Sequence, residues 1–296
     1  MTDLNFPDHE YLTVHELAEL LRLKERKIYD LAASGEVPCS RATGKLLFPA
    51  GEIRAWLNRA KSGGTTAPDT DRPQILLGSH DPLLDWAIRQ SRSGLATYFD
   101  GSMDGLDRFT KGEGIAAGLH LRDGKAGTWN VAAVQRMALS QNAVLIHFAS
   151  RQRGLVYRDD VRELSTLQDI AGLRLVPRQP GSGTDRLLRD LATEAKLDLD
   201  AVQMTDVARS EDEAVEYVRR GAADVTFGLE SVAQGYGLCF APVIKEEFAL
   251  LVDRKAWFDA AFQTLLSYCQ SDAFAKRAAS LGGYDVSGFG QVAWNA

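Results

Sequence analysis

Apolar and polar positions along the chain follow two different patterns. From residue 13 to residue 33, leucine and isoleucine recur at helical spacings, which predicts two short helices joined by a tight turn. From residue 75 onward, short apolar runs such as Ile75–Gly78 alternate with helical periods such as the one that Asp81 and Pro82 introduce. This alternation predicts an α/β fold with mostly parallel, buried strands.

A stretch without hydrophobic periodicity separates the two patterns. Residues 61–73 read KSGGTTAPDTDRP and are rich in glycine, hydroxyl residues and proline, as flexible linkers are. We therefore expect a domain at residues 1–60, a linker at residues 61–73 and a larger domain at residues 74–296. A chain of 296 residues is long enough for more than one core.

The larger domain repeats one local plan, in which a strand runs through a polar turn into a helix. LLGSHDPLLDWAI and RLVPRQPGSGTDRLLRDLA both follow this plan, which favours two similar α/β lobes. Beyond the first strand and helix, we predict strands at residues 96–99, 115–119, 143–148, 155–157 and 174–176, and helices at residues 103–110 and 184–195.

Charge and cysteine content narrow the class of protein. A net charge of −6 excludes a uniformly basic nucleic-acid-binding surface but allows a local basic patch. Cys39, Cys239 and Cys269 are far apart and form no CxxC pair, which argues against a disulfide framework or a zinc cluster. The acidic first residues show no signal-peptide pattern, and no apolar run is long enough to span a bilayer. We therefore expect a cytoplasmic protein with no membrane segment, no bound metal and no cofactor.

The N-terminal domain has the spacing of a helix-turn-helix. Thr13, followed three residues later by Glu16, predicts a capping box at the start of the first helix. A second helix is expected at residues 24–33 after a short turn. The segment SRATGKLLF then predicts a hairpin with Thr43-Gly44 at its turn, and Pro49 opens a last helix.

Basic residues concentrate in this domain. Residues 24–61 hold eight Lys or Arg against four Asp or Glu, in a chain that is acidic overall. Basic, hydroxyl and aromatic side chains of this kind make the phosphate and base-edge contacts of DNA-binding proteins. The candidate DNA-binding residues are Thr13, Lys24, Arg26, Lys27, Tyr29, Arg41 and Lys45.

Three sequence segments of this domain, YLTVHELAELL, KIYDLAASGEVP and R-x-x-G-K-x-x-F-P-x-x-x-I-x-A-W-L, resemble the excisionase-like, MerR-related winged-helix family. The resemblance covers about residues 11–57. It implies that the second helix enters the major groove of double-stranded DNA and that the hairpin between Arg41 and Lys45 contacts the backbone or minor groove. Arg22 stands where the family usually has glycine, and Glu25 and Asp30 stand where basic residues are common.

Three polar turns in the larger domain are suited to an anion. Each puts glycine or hydroxyl residues between a strand and the start of a helix, at Gly78–Asp81, Asp100–Met103 and Gln179–Thr184. A helix N-terminus offers unpaired N–H groups and about half a positive charge, so such turns can hold an anion without lysine or arginine. One turn alone could serve only to cap its helix, whereas three turns across two lobes favour a shared oxyanion site.

The candidate ligand-binding residues come from these turns and from three neighbouring positions. The turns supply Ser79, Ser102, Ser182, Gly183 and Thr184 as oxyanion donors. The further candidates are His120 at a strand end, Arg178 before the third turn, and Tyr236 in a glycine-rich segment that could close as a lid.

The larger domain resembles the periplasmic-binding-protein superfamily in GSHDPLLDW, AGLHL, RQPGSGTDRLL, GAADVTFGLES and LGGYD. It is more closely similar to the ligand-binding domain fused to excisionase-like regions in presumed molybdate- or tungstate-responsive regulators. The resemblance spans residues 74–285 and implies a type II fold, in which two α/β lobes close about a hinge over a ligand. It also implies molybdate, tungstate or a related molybdenum compound as the ligand.

The sequence therefore predicts a transcription regulator, acting as a homodimer, whose two-lobed domain senses a small anion. GxSxG, HExxH and GxxxxGK[ST] motifs are absent from the sequence, so no enzymatic activity is expected. One alternative keeps the architecture and changes the ligand to an organic anion, a pterin or the molybdenum cofactor. Others are a recombination accessory or architectural DNA-binding protein and a periplasmic receptor, the last disfavoured by the helix-turn-helix.

Overall fold

The computed structural model describes residues 10–41, 44–59, 72–124 and 127–296. The chain divides into two compact units, a small unit within residues 1–70 and a large unit within residues 71–296. Arg72, which the predicted linker includes, is anchored in the large unit. Its guanidinium donates to the carbonyl oxygens of Phe109 at 2.6 Å and Gly114 at 3.0 Å and lies 3.2 Å from Asp253 Oδ2.

The small unit is a helix-turn-helix followed by a third helix. Its elements are β1 (Tyr11–Leu12), α1 (Val14–Leu21), α2 (Glu25–Ala33), β2 (Phe48–Pro49) and α3 (Ala50–Arg59). The predicted capping box is confirmed, since the Thr13 hydroxyl accepts from the Glu16 N–H and the Glu16 carboxylate accepts from the Thr13 N–H. The helices and the antiparallel β1–β2 pair enclose a core in which Leu17, Ile28 and Phe48 are fully buried.

Two tight connections shape this unit. Arg22 ends α1 with a φ of 54°, the left-handed conformation that glycine adopts most easily. The predicted hairpin is present, because Ser40 and Leu47 exchange backbone hydrogen bonds of 2.7 and 2.9 Å. Thr43 lies outside the described residues.

The large unit alternates strands and helices as predicted. Its strands are β3 (Ile75–Gly78), β4 (Ala96–Phe99), β5 (Ala116–Leu119), β6 (Arg122–Asp123), β7 (Thr128–Trp129), β8 (Ala143–Tyr157), β9 (Arg174–Val176), β10 (Gln203–Met204), β11 (Val225–Leu229), β12 (Cys239–Asp253), β13 (Tyr284–Asp285) and β14 (Val292–Asn295). Its helices are α4 (Pro82–Ser91), α5 (Ser102–Thr110), α6 (Val131–Ala138), α7 (Gly183–Glu194), α8 (Glu211–Arg219), α9 (Glu230–Gly235), α10 (Ala260–Cys269) and α11 (Asp272–Leu281).

Two long antiparallel strands join two lobes. The main sheet has the order β10-β9-β11-β8-β12-β5-β3-β4, and β13 and β14 also pair with β8. The strands β3, β4 and β5 run parallel to one another on one side, and β9, β10 and β11 do so on the other. We call the first group, with α4–α6, α10 and α11, lobe one, and the second, with α7–α9, lobe two. The predicted class, a small helix-turn-helix domain followed by a two-lobed periplasmic-binding-protein-like α/β domain, is confirmed.

The prediction of two separate strands at residues 143–148 and 155–157 is wrong. These residues belong to one 15-residue strand, β8, whose partner β12 is equally long and was not predicted. The polar run from Ser150 to Arg153 interrupts the apolar pattern between the two predicted strands. In the structure the side chains of Arg151 and Arg153 are buried there because carboxylates surround them, so charge pairing replaces the expected hydrophobic pattern.

Each lobe has its own hydrophobic core. In lobe one, apolar side chains on the two sheet faces pack against α4, α10 and α11 on one side and against α5 and α6 on the other. In lobe two, the main cluster lies between the sheet and α7. The polar centre of the β8–β12 pair lies between these cores. No helix among the described residues is long and apolar enough to cross a membrane.

Candidate functional site

A cleft of about 260 Å³ lies between the two lobes. Four helices start at or beside it, because α4 and α5 begin on the lobe-one side and α7 and α8 on the lobe-two side. The residues lining it are Ser79, His80, Phe99, Asp100, Gly101, His120, Arg178, Gln179, Ser182, Gly183, Thr184, Arg209, Ser210, Glu211 and Asp212. The N-termini of four helices, which carry the positive ends of the helix dipoles, therefore converge on one small space.

The lobe-one wall carries a pair of hydrogen-bonded serines. The Oγ atoms of Ser79 and Ser102 are 2.8 Å apart, and Ser102 Oγ accepts from the backbone N–H of His120 at 3.0 Å. When the Ser102 hydroxyl is the donor in this hydrogen bond, the Ser79 hydroxyl can donate to a ligand. Gly78 makes this wall possible, since a Cβ there would lie 2.3 Å from the Gly118 carbonyl oxygen.

The lobe-two wall is the N-terminus of α7. Ser182 caps this helix, and its Oγ accepts from the Asp185 N–H at 3.2 Å, so its hydroxyl proton remains available to a ligand. The Thr184 hydroxyl instead donates to Glu211 Oε1 at 3.2 Å. Because a hydroxyl has one proton, Thr184 can offer a ligand only its backbone N–H while this bond is made.

The lobes touch each other across the cleft, so this is a closed arrangement. Gly183 in lobe two packs against the ring of His120 in lobe one, and a Cβ on Gly183 would lie 2.7 Å from two ring atoms. Arg209 Nη2 lies 3.4 Å from Asp100 Oδ1 in the opposite lobe. These contacts can form only when the lobes are together, so they distinguish a closed from an open cleft.

Beneath the cleft, a chain of buried charges crosses the middle of the two long strands. Glu246 of β12 faces Arg151 of β8 in register and pairs with both Arg151 and Arg153. Arg151 also contacts Asp81 at the start of α4 at 2.6 Å, and Arg153 contacts Glu211 at the start of α8 at 2.9 Å. The charges alternate in sign along this series, which therefore links a helix start in each lobe through the β8–β12 pair.

The pairing outweighs the cost of burying these carboxylates. Burial by itself would raise the pKa of Glu211, but the charges of Arg153 and Arg178 lower it to about 2. Burial opposes ionisation of Glu246 too, yet Arg151 and Arg153 hold its pKa well below the ordinary value. Both carboxylates are therefore charged at neutral pH and act only as hydrogen-bond acceptors.

Arg178 is mostly engaged by the protein itself. Its Nη1 lies 3.0 Å from Glu211 Oε1, Nη2 donates to the Arg209 carbonyl oxygen at 3.0 Å, and Nε donates to the Ala208 carbonyl oxygen at 3.3 Å. Burial lowers its pKa. Arg178 therefore fixes the loop before α8 and contributes its charge to the site.

A second cavity, of about 510 Å³, adjoins the cleft at Gly183. It lies between α6 of lobe one and α7 of lobe two, with Met103, Leu121, Met137 and Leu187 among its apolar lining. Its polar lining is Arg122, Asp123, Asn130, Arg136, Arg186 and Asp190. This lining mixes hydrogen-bond donors and acceptors.

In the small unit, a groove lies between α2 and the hairpin. Four of the predicted DNA-binding residues, Thr13, Tyr29, Arg41 and Lys45, line it together with Glu25 and Asp30. The other predicted residues, Lys24, Arg26 and Lys27, are exposed on or just before α2.

Comparisons with known proteins agree with both units. A family model described as PBP superfamily domain matches residues 86–270, more than half of the chain. The chain belongs to the PBP superfamily. A model described as helix-turn-helix domain matches residues 11–61. The chain therefore joins a DNA-binding helix-turn-helix to a PBP superfamily domain, which is the organisation of a ligand-binding regulator.

Solved structures show the same fold. An ABC-transporter substrate-binding protein with bound phosphate from Clostridium perfringens is 12% identical, with a TM-score of 0.53 over 72% of this chain and 99% of that one. The sulfate-binding protein SubI from Mycobacterium tuberculosis is 14% identical, with a TM-score of 0.51 over 72% of this chain and 86% of that one.

A sequence relative matches over nearly the whole chain. The uncharacterized protein YvgK of Bacillus subtilis is 23% identical over 95% of this chain and 96% of its own.

In this PBP superfamily domain, most of the predicted ligand residues meet in the cleft. Those that line it are Ser79, His120, Arg178, Ser182, Gly183 and Thr184. Ser102 is fully buried behind Ser79, where it orients that hydroxyl. Tyr236 ends α9 in the packing of lobe two, and its hydroxyl donates to Asp212 Oδ1 at 3.3 Å, so this position gives no support to a lid.

Most charged residues of the cleft and of the β8–β12 pair carry no local signal of a site. The sequence marks Asp81 only as a helix cap and Asp100 only as part of a turn, and it does not single out Arg151, Arg153, Arg209, Glu211, Asp212 and Glu246. One signal was available in the sequence. The segment RQR stands between two strongly apolar segments, whereas a half-exposed strand would alternate apolar and polar residues along its whole length. No group of three or more metal-ligating side chains occurs in the part of the chain that the structure describes.

Proposed function

We propose that this protein is a transcription regulator whose PBP superfamily domain binds a small oxyanion and thereby changes the DNA affinity of its helix-turn-helix. The observation that carries this proposal is the convergence of helix N-termini and serine hydroxyls from both lobes on a cleft of about 260 Å³. Ser79 and Ser182 line it from opposite lobes, and both hydroxyls can donate to a ligand there. An oxyanion held by both lobes stabilises the closed form selectively.

Molybdate and tungstate are the leading ligands in this proposal. Their support is the resemblance of the whole architecture to presumed molybdate- or tungstate-responsive regulators. Phosphate and sulfate are the natural competitors, because proteins of similar fold hold them. All four are compact tetrahedral oxyanions that neutral N–H and O–H donors can surround.

An organic anion is the competing ligand class. The neighbouring cavity of about 510 Å³, which shares Gly183 with the cleft, favours it because a larger molecule could place its anionic group at the helix starts and its body beside Met103 and Leu187. Phe99 is the only aromatic ring of Phe, Tyr or Trp type among the described residues that line the smaller cleft, which provides little stacking surface for a pterin.

The DNA-binding half of the proposal follows from the small unit. The second helix, α2, would enter the major groove, with Arg41 and Lys45 of the hairpin on the backbone. Two copies of the chain would bind two half-sites, so that closure of the large unit alters their spacing. This homodimer is part of the proposal, as is a location in the cytoplasm with the DNA.

Thermal unfolding of the full chain with molybdate, tungstate, sulfate and phosphate in turn tests the ligand class. An anion at about a hundred times its Kd adds roughly 2.7 kcal/mol to the stability of the binding unit. We expect a clear rise in Tm with molybdate or tungstate that the S79A/S182A double variant loses. A rise with phosphate or sulfate alone would reassign the oxyanion, and no rise with any of the four would contradict the oxyanion proposal and favour an organic anion.

A further inference from the structure

His120 combines two properties that conflict at an anion site. It lines the cleft, and its Nδ1 lies 3.2 Å from Oε2 of the buried Glu246. A charged carboxylate can only accept a hydrogen bond, so the proton of the neutral imidazole ring must be on Nδ1. Nε2 of His120 then carries a lone pair.

The surroundings of His120 keep the ring neutral in the free protein. Glu246 and Phe248 face it from β12, and the latter ring stacks on it with centroids 6.1 Å apart. The guanidinium groups of Arg151 and Arg153 lie beyond Glu246 on β8 and already pair with that carboxylate. Burial lowers the pKa of His120, and these two arginines oppose the effect of Glu246.

Two further neighbours of His120 carry no charge. Ser102, at the start of α5, accepts from the backbone N–H of His120 at 3.0 Å. Gly183, the first residue of α7, packs against the ring edge, since a Cβ there would lie 2.7 Å from Cε1 and Nε2. Nε2 therefore meets the N-terminus of α7 at the point where that helix would hold an anion.

A fully deprotonated oxyanion in this place would face the lone pair of Nε2. Two acceptors without a proton between them repel each other, and the low dielectric of a closed cleft strengthens that repulsion. One added proton converts the repulsion into a charge-assisted hydrogen bond. The proton comes from solvent and ends between the two atoms, whichever of them carries it formally.

We propose that the cleft binds its oxyanion together with one proton, held between a ligand oxygen and Nε2 of His120. The inference rests on the proposed function, because it needs an oxyanion in the cleft. It makes His120 a specificity-determining residue and makes anion affinity fall as pH rises. By linkage, if binding takes up one proton, Kd rises about tenfold for each unit by which the pH rises. This holds in the pH range where His120 is neutral in the free protein and the proton is held in the complex.

Calorimetric titration of the full chain with sodium molybdate and with sodium tungstate, from about pH 6.5 to about pH 8.5, tests this. Each titration is run in two buffers with different ionisation enthalpies, so that the difference in measured enthalpy counts the protons taken up. We expect close to one proton per anion and a Kd that rises about tenfold per pH unit. The H120Q variant should bind more weakly, without proton uptake and with a flat pH profile.

His147 supplies a matched control. It lies on β8, and its Nδ1 is 3.1 Å from Glu247 Oε2, so it repeats the histidine–glutamate pair outside the cleft lining. H147Q should keep the proton uptake of the wild type. Nitrogen-15 NMR of the free wild-type protein adds a test that needs no variant, with the His120 ring expected to be neutral at pH 7 and protonated on Nδ1.

Each contrary result has a distinct meaning. Anion binding without proton uptake, uptake that persists in H120Q, or a His120 ring protonated on Nε2 in the free protein would overturn this inference and leave the proposed function standing. Absence of binding by molybdate and tungstate at every pH, together with no rise in Tm with phosphate or sulfate, would overturn both.

Discussion

Replacing Gly183 with alanine should weaken ligand binding without weakening the fold. Gly183 is the first residue of α7, and its φ lies outside the left-handed region, so the backbone itself accepts alanine. Alanine is also the better helix former. The substitution therefore acts on the contact between lobes, where a Cβ would lie 2.7 Å from Cε1 and Nε2 of His120 and 3.2 Å from Nδ1.

The size of the effect follows from how firmly His120 is held. Phe248 stacks behind the ring and Glu246 holds Nδ1, so the ring cannot move back by the several tenths of an ångström that a methyl group needs. Overpacking of this kind costs about 1–3 kcal/mol. Because the cost applies to the closed form, we expect Kd to rise about 5- to 150-fold.

The assay is calorimetric titration with the oxyanion that stabilises the wild type most, together with thermal unfolding of the free protein. Gly235 in α9 provides the matched control, since an added Cβ there meets nothing within 4 Å. G235A should bind like the wild type. Two results would refute the view that Gly183 acts through closure. One is wild-type affinity in G183A, and the other is a loss of unfolding free energy in the free G183A protein as large as its loss of binding free energy.

Three further predictions concern single side chains. S79A should raise the Kd for the oxyanion about tenfold or more in calorimetric titration, because a hydrogen bond to a charged group contributes about 1.5–3 kcal/mol; an unchanged Kd would remove Ser79 from the site. R41A should lower DNA affinity evenly across sequences and reduce the salt dependence by about one counterion in anisotropy titrations, whereas a change in sequence preference would place Arg41 on a base. The pKa of Glu211 is lowered from 4.5 to about 2 in the folded protein, so its ionised form stabilises the fold. This stabilisation is fully present above pH 4.5 and is lost as the pH falls from there to about 2. E211Q should therefore abolish that part of the acid dependence in circular dichroism and cost about 3–5 kcal/mol by breaking a buried pair, and an unchanged acid profile would contradict the pairing.

Local signals explain what was predictable. Asp81-Pro82 and Ser182 mark helix starts because capping chemistry is confined to a few neighbouring residues, and both helices begin at these residues. The hydroxyl residues of the cleft were found for the same reason. Capping residues that follow parallel strands collect at the ends of those strands, which is where the two lobes face each other.

The pairing of the two long strands that join the lobes could not be predicted from such local signals. β8 and β12 are 15 residues each and pair residues that are 82 to 110 positions apart in the sequence, so nothing local reveals their partnership. In the sequence, Arg151 and Arg153 look like exposed residues, because the Glu246 carboxylate that allows them to be buried lies on a distant strand. The same long-range pairing decides that the Thr184 hydroxyl is taken by Glu211, which no turn motif could show.

The most direct test of the central claim measures DNA affinity and anion binding in one experiment. The full chain is first used to select its preferred duplex from a random library, and anisotropy titrations then compare that duplex with and without saturating molybdate or tungstate at fixed salt. We expect specific binding whose Kd changes at least about fivefold with the anion, as coupling of about 1 kcal/mol requires, and no change in the S79A/S182A variant. Selective DNA binding that ignores an anion known to occupy the cleft would contradict it.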